Sequence, residues 1–197
     1  MNPSVGPLWE REEDDPLFFR FFAVVFALMV AFFSVNLWFN ARFVRVEVEG
    51  TSMTNTLSNG DVLYADKKAV PARGDIVIVD VKNYPEKKFR GEYIIKRLIA
   101  TQGDTLYCQN NTVHIRYAGE EDFVPLEEDY LKDKAQNASF ATVTVGEGEI
   151  FVMGDNRADS KDSRMEGCFL ASDIIGVVTD RSVKHKATIT KFWHFFG

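Results

Sequence analysis

The sequence predicts a mostly-β domain held behind one N-terminal transmembrane helix. Three observations carry that prediction. An uncharged apolar run is long enough to cross a bilayer, short β-branched runs follow it between Gly-Asp turns, and strong amphipathic helical patterns are scarce after the run. At 197 residues there is room for one domain plus a small accessory element. A composition of 46% hydrophobic and 26% charged residues is that of a globular chain, neither disordered nor fibrous.

The helix comes first. From Phe21 to Phe39 the chain reads FFAVVFALMVAFFSVNLWF. At about 1.5 Å per residue this run approaches the ~30 Å hydrocarbon core of a bilayer. Arg20 and Arg42 bracket it, and Trp38 suits the interface. A cleaved leader would need a shorter apolar core, a basic start and a small-residue exit. Here the start is acidic, Glu10 to Asp15, and the exit is Trp38-Phe39-Asn40. A buried core helix would keep a polar face. A retained single-pass anchor is therefore expected. Arg11 and Arg20 on one side balance Arg42 and Arg45 on the other, so basic residues do not fix its orientation.

The strands come next. Asp75 to Val81, Thr142 to Val145, Ile150 to Met153 and Ile174 to Val178 are β-branched runs of strand length. Gly60-Asp61, Gly74-Asp75, Gly103-Asp104 and Gly154-Asp155 each abut an apolar run and mark tight turns. They keep no fixed period, so no solenoid follows. Ala118 to Ser139 is the most polar stretch and is expected to be a surface excursion. The body of the protein is thus a mostly-β domain of roughly 155 residues tethered by one helix.

Composition also excludes some functions. A formal net charge of −6 with no basic run argues against a nucleic-acid partner. Cys108 and Cys168 lie far apart with no CxxC spacing, which argues against zinc. They are either two free thiols or a disulfide, if the domain lies outside the cytosol.

The chemistry points to Ser52 and Lys96. A serine hydroxyl needs a base to become a nucleophile. His114, His185 and His194 lie in no triad-like setting. Lysine can replace histidine once burial makes its amine neutral, a shift of roughly 3 units from about 10.4, or about 4 kcal/mol. Tyr93-Ile94-Ile95-Lys96-Arg97-Leu98-Ile99 offers such surroundings. On a strand, Lys96 would share a face with Ile94 and Leu98. Read without any family, an exposed lysine on an edge strand is the commoner fate of such a residue. Gly154 to Arg164 is dense in hydrogen-bonding groups. Either it is a solvated loop, or Asp155, Arg157, Asp162 and Arg164 pair among themselves while Ser160 holds the Lys96 amine.

Taken together, Gly50-Thr51-Ser52-Met53-Thr54-Asn55-Thr56-Leu57, Arg73-Gly74-Asp75-Ile76-Val77, the Lys96 segment with Gly103-Asp104, and Gly154-Asp155-Asn156-Arg157 through Arg164 stand in order behind an anchor. In these four motifs the chain resembles the bacterial type I signal peptidases of the single-anchor Gram-positive kind. The resemblance implies the Ser–Lys protease β fold that those enzymes share with self-cleaving repressors. It implies a membrane-bound serine endopeptidase that removes signal peptides from exported pre-proteins after Ala-x-Ala, through an acyl-enzyme. Ser52 would be the nucleophile and Lys96 the general base. Ser160 would orient the Lys96 amine, Asp162 would pair with Arg164, and the Ser52 backbone N–H would donate to the oxyanion. No metal or organic cofactor is implied. The implied partners are signal peptides, the lipid bilayer and the secretion translocon, and no nucleic acid. The implied topology is a cytoplasmic tail at 1–20, an anchor at 21–39 and an extracytoplasmic peptidase domain at 40–197, in the cell membrane.

The chain departs from the family pattern at three places. Gly50 stands where some members place a serine that supplies a second oxyanion donor, and Thr51 is a candidate substitute. Asn55 replaces a proline. Thr101-Gln102 replaces Leu-Pro. Two other readings remain. A self-cleaving repressor would need a DNA-binding segment where this chain has its anchor. A catalytically silent tethered β domain would have no need of both Ser52 and Lys96.

Overall fold

The computed structural model describes residues 16–87, 89, 91–131 and 139–196. The chain divides into two units, Met1–Ala41 and Arg42–Gly197. The first unit, together with Arg42, holds helix α1, Pro16–Arg42. It contains the expected 21–39 run and extends beyond it at both ends. It is long and apolar enough to cross a membrane. Its large apolar side chains face outward, with Leu37 exposed to 73%.

Among its described residues the second unit holds eleven strands. These are β1 (Phe43–Glu47), β2 (Val62–Asp66), β3 (Ile76–Asp80), β4 (Tyr93–Thr101), β5 (Thr105–Gln109), β6 (Thr112–Arg116), β7 (Val124–Pro125), β8 (Phe140–Thr144), β9 (Glu149–Met153), β10 (Phe169–Leu170) and β11 (Ile174–Val178). Seven of them form a sheet in the order β1-β2-β11-β3-β4-β9-β10, and four form a second in the order β7-β6-β5-β8. The pairings are antiparallel. The apolar runs at 75–81, 142–145, 150–153 and 174–178 lie on β3, β8, β9 and β11.

The larger sheet is covered on both faces, which is why β3 reads as continuous apolar residues rather than an alternation. Val77 and Val79 enter one core with Ile94, Leu98, Ile150, Val152 and Phe169. Ile76 and Ile78 enter another with Val48, Met53, Leu57, Leu63 and Ala65. A third core joins the second sheet to Ile99, Ala100, Phe151 and Met153. Strand β4 contributes to all three. Its pairing with β9 shifts register between Leu98 and Ala100. The bulge there re-aims the chain, so Ile99 and Ala100 both enter the third core.

Two expectations need correction. The body contains a helix of real length, α3 (Asp180–Phe196), besides the single turn α2 (Ser163–Glu166). The polar stretch 118–139 is only partly a surface excursion. Residues 132–138 of it lie outside the described residues, while Glu128 and Leu131 are buried. Both cysteines are free thiols, Cys108 buried and Cys168 half-buried.

Candidate active site

Ser52 lies in the loop between β1 and β2. Two residues of that loop plug into the core beside it: Met53 is 2% exposed and Leu57 fully buried. A helical turn spaces them, with Thr56 N–H and Leu57 N–H both donating to the Met53 carbonyl. The loop is thereby rooted by its apolar side chains, and Ser52 is held half-buried at its rim.

Lys96 reaches Ser52 from β4. Its Nζ lies 2.6 Å from Ser52 Oγ and also donates to the Ile95 carbonyl at 3.2 Å. Lys96 is 5% exposed, so the edge-strand alternative does not hold. Burial pulls its ammonium down from 10.5 to about 8. The negative charges of Asp162 and Asp155 resist that shift, and the positive charge of Arg164 adds to it.

The loop after β9 closes over both residues. Asn156 N–H donates to the Ser52 carbonyl at 2.9 Å, and its side-chain amide donates to the Thr51 carbonyl at 3.1 Å. Gly154 sits where the groups converge. A Cβ at that position would stand 2.2 Å from Ser160 Oγ and 2.5 Å from the Ser52 carbonyl oxygen, so only a hydrogen atom fits.

Asp162 anchors the same loop and is fully buried. It accepts from Gly154 N–H at 2.9 Å, from Ser160 Oγ at 2.6 Å, and from Arg164 Nε and Nη2 at 2.8 Å each. Burial alone would raise the Asp162 carboxyl. The Arg164 guanidinium, with the Ser160 hydroxyl and Gly154 N–H, holds it below the usual carboxylate range. Asp162 also caps α2.

The structure therefore brings Ser52, Lys96, Ser160, Asp162 and Arg164 into one neighbourhood, with one change of partner. Ser160 donates to Asp162, and among the described residues its hydroxyl makes no hydrogen bond to the Lys96 amine. The Ser52 backbone N–H has no partner among the described residues, as an oxyanion donor requires. The hydroxyl of Thr51, the candidate substitute donor, is turned onto Asp159. Gly50 has φ +89°, a region that suits glycine and strains a serine. Its N–H donates to Asn59 Oδ1 at 2.8 Å.

The expected pairing of Asp155 and Arg157 within the loop is also corrected. Asp155, fully buried, binds Arg97 through two hydrogen bonds of 2.8 and 2.6 Å. It accepts a third from Thr56 Oγ1 at 2.6 Å, and its carbonyl accepts from Asn55 Nδ2 at 2.8 Å. Asn55 thus replaces the stiffness of a proline with a bond across the site. Arg157 pairs with buried Glu128, and the Arg97 guanidinium stacks 3.9 Å above the Tyr130 ring. Sequence reasoning missed Arg97, Thr56, Glu128 and Tyr130. Arg97 left a signal: a charge within a run buried on both faces has to be paired.

The histidines take no part. His114 stacks on Tyr107 in the second sheet, and His185 and His194 are exposed on α3.

Comparison with known proteins places the chain in a family. The family model described as "Signal peptidase, peptidase S26" matches residues 18–182. "Probable signal peptidase I-1" of a Synechocystis species is 32% identical over 185 residues, covering 89% of this chain and 84% of that one. "Signal peptidase I P" of Bacillus subtilis subsp. natto is 34% identical over 165 residues, covering 77% and 83%. A crystal structure of a signal peptidase I from Enterococcus faecalis V583 is 31% identical, with a TM-score of 0.45 over 56% of this chain and 98% of that one. The family match and the two sequence relatives make the chain a serine endopeptidase. It belongs to the signal peptidase family, peptidase S26.

Gly154 offers a direct test of how tightly the loop is fitted. Its backbone neighbour cannot yield cheaply, so Gly154→Ala must move either the Ser52 loop or Ser160. A displacement near 1 Å costs about 100-fold in rate. Gly154→Ala should therefore lose about that factor in kcat and keep its circular dichroism. Wild-type turnover would show that the close approach does not matter.

Proposed function

We propose that this protein removes N-terminal signal peptides from exported pre-proteins after Ala-x-Ala, with Ser52 as nucleophile and Lys96 as its base. One observation carries the reading: the Lys96 Nζ lies 2.6 Å from Ser52 Oγ while the lysine is 5% exposed. An amine that buried gives up its proton far more readily than a solvated one.

The neutral amine takes the Ser52 proton as Oγ bonds to the scissile carbonyl carbon. The oxyanion forms against the Ser52 backbone N–H. The Lys96 ammonium then gives its proton to the leaving amine, and the new N-terminus departs. A water, deprotonated by the same amine, attacks the ester carbonyl; the acyl–Oγ bond breaks, the Lys96 ammonium returns its proton to Ser52 Oγ, and the signal peptide leaves with a new carboxylate. Asp162, braced by Arg164 and bonded to Ser160, holds the loop that packs against Ser52. The extended substrate has a place to lie. β9 covers β4 only from Arg97 to Thr101, so among the described residues the flank of Tyr93–Lys96 away from β3 carries no strand. Main-chain pairing there would give affinity, and small pockets would select alanine-like side chains.

Family membership supports a topology with residues 1–20 in the cytoplasm, 21–39 in the bilayer and 40–197 outside, where a signal peptide leaves the membrane.

Incubating the full-length protein in detergent with an Ala-x-Ala pre-protein should yield one new N-terminus directly after that motif, read by mass. Cleavage elsewhere, or none, would sink the reading. The rate should depend on pH in one direction. The charged amine cannot act as base, and at pH 7 a group titrating at about 8 is neutral in about a tenth of the molecules. The rate should climb through pH 8 and level off above it. A flat profile from about pH 5 to 9 is incompatible with a titrating lysine.

A further inference from the structure

We propose that Lys186 of α3 is a positioning residue for the Ser52–Lys96 pair: its ammonium clamps the far end of the nucleophile loop, which keeps the serine on the amine and water off it. The inference rests on the reading of Ser52 and Lys96 as nucleophile and base. The family match ends at residue 182, so Lys186 lies beyond it.

α3 owes its seat to an open stretch of strand. β11 pairs with β2 at Ala65 and Asp66, short of the start of β2 at Val62. Two N–H groups of that stretch are taken by α3 instead. Tyr64 N–H donates to Ser182 Oγ at 2.7 Å, and Val62 N–H donates to Thr190 Oγ1 at 2.8 Å. Residues four apart share one face of a helix, so Lys186 stands between these two fixed points.

From there the lysine makes two contacts with the loop before β2. It pairs with Asp61 at 3.0 Å and donates to the Thr56 carbonyl at 2.6 Å. The two side chains of the pair are mostly out of water, at 27% and 15% exposure. The turn that carries Ser52 ends at Thr56. A lysine at the carboxyl end of a turn satisfies a carbonyl that a further turn would otherwise take. Asp61 closes the same loop. Its carboxylate accepts from Ser58 N–H at 2.8 Å, and its carbonyl accepts from Val48 N–H at 2.9 Å. One ammonium thus ties the end of the Ser52 turn to the base of its own loop and to α3. Thr56 meanwhile reaches the site from its side chain, whose hydroxyl donates to Asp155 at 2.6 Å.

The consequence falls on the amine. Ser52 Oγ lies against Lys96 Nζ, and the charges that act on that amine are Asp162, Asp155 and Arg164. Lys186 is not among them, so loss of its charge does not reach Lys96 directly. It reaches Lys96 through the turn. A turn that lifts admits water to Nζ, and hydration favours the charged form.

The test uses the full-length protein in detergent, with its lysines labelled with carbon-13 at Cε. The Lys96 signal is the one missing from Lys96→Met. In the wild type it should titrate near 8. In Lys186→Met the midpoint should rise by about one unit, and kcat at pH 7 on an Ala-x-Ala pre-protein should fall about tenfold. KM should stay near wild type, because β4 and its free flank are untouched. Lys186→Arg keeps the charge and the donors and should bring both values back. Lys186→Met with Asp61→Asn removes the pair together, so no stray carboxylate unfolds the loop, and the midpoint should rise in the same way. A Lys96 midpoint that stays in place in both methionine variants overturns the proposal, and a fall in rate alone would then report lost stability. The titration involves no substrate. A wild type that cuts no pre-protein counts against the cleavage reading, while the Lys96 midpoint still decides the role of Lys186.

Discussion

Changing Lys96 to methionine should abolish cleavage and make the domain more stable. The loss of activity follows from removing the proposed base. Deleting one member of a nucleophile–base unit typically costs ~10⁴–10⁶ in kcat. Ser52→Ala should fail equally. Lys96→Arg should fail too, because a guanidinium stays charged. The gain in stability follows from the same burial that makes the amine useful. The folded-state value of about 8 lies below the ordinary 10.5. At 1.36 kcal/mol per unit, holding the charged form in the fold costs about 3 kcal/mol. Losing the hydrogen bond to Ser52 offsets about 1 kcal/mol of the gain. A net stabilisation of about 2 kcal/mol is expected at neutral pH. Its sign with pH is fixed: the cost is complete below the folded value, fades as pH rises from about 8 to 10.5, and is gone above that. Urea unfolding of both proteins in detergent, at pH 7 and again near pH 10, reads this directly. Destabilisation by methionine at pH 7 would mean that burial does not penalise the amine.

Arg97→Met should have the opposite effect on stability. The guanidinium pairs with Asp155, which is fully buried, and also donates to the Gly74 carbonyl at 2.6 Å. Removing one partner leaves an uncompensated buried carboxylate, which costs about 3–5 kcal/mol. The Thr56 hydroxyl alone cannot replace two charge-assisted bonds. The double change Arg97→Met with Asp155→Leu should recover most of the loss, since a well-packed apolar pair is tolerated where half an ion pair is not. Thermal melts of the wild type and the two variants decide it. A single variant that melts with wild type would mean the pair contributes nothing.

Particular residues explain what the sequence disclosed. Ser52 and Lys96 were legible because each stands in a motif that resembles a known family; the apolar neighbours of Lys96 alone left an exposed edge position open, and only the fold shows the turn rooted by Met53 and Leu57 that brings the two together. The strands β3, β9 and β11 were legible because burial on both faces leaves uninterrupted β-branched runs. The pairing of Asp162 with Arg164 was legible because it is local, two residues apart across the start of α2. Asp155 and Arg157 were misread for the converse reason. Their partners Arg97 and Glu128 lie 58 and 29 residues away, and only the folded chain brings them near. Helix α3 escaped notice because Ser182, Lys186 and Thr190 hold its inward face by hydrogen bonds. No apolar stripe at helical spacing marks it.

The adjacency of Lys96 and Arg97 on β4 has one more consequence. The pleat sends neighbours to opposite faces, so two consecutive cations inhabit separate electrical environments. Arg97 is absent from the charges that shift Lys96. Sliding β4 by a single position against β3 would exchange them, presenting a permanently ionised fork to the hydroxyl and a weak base to the carboxylate. Strand alignment, rather than residue identity alone, is thus what makes this serine a potential nucleophile.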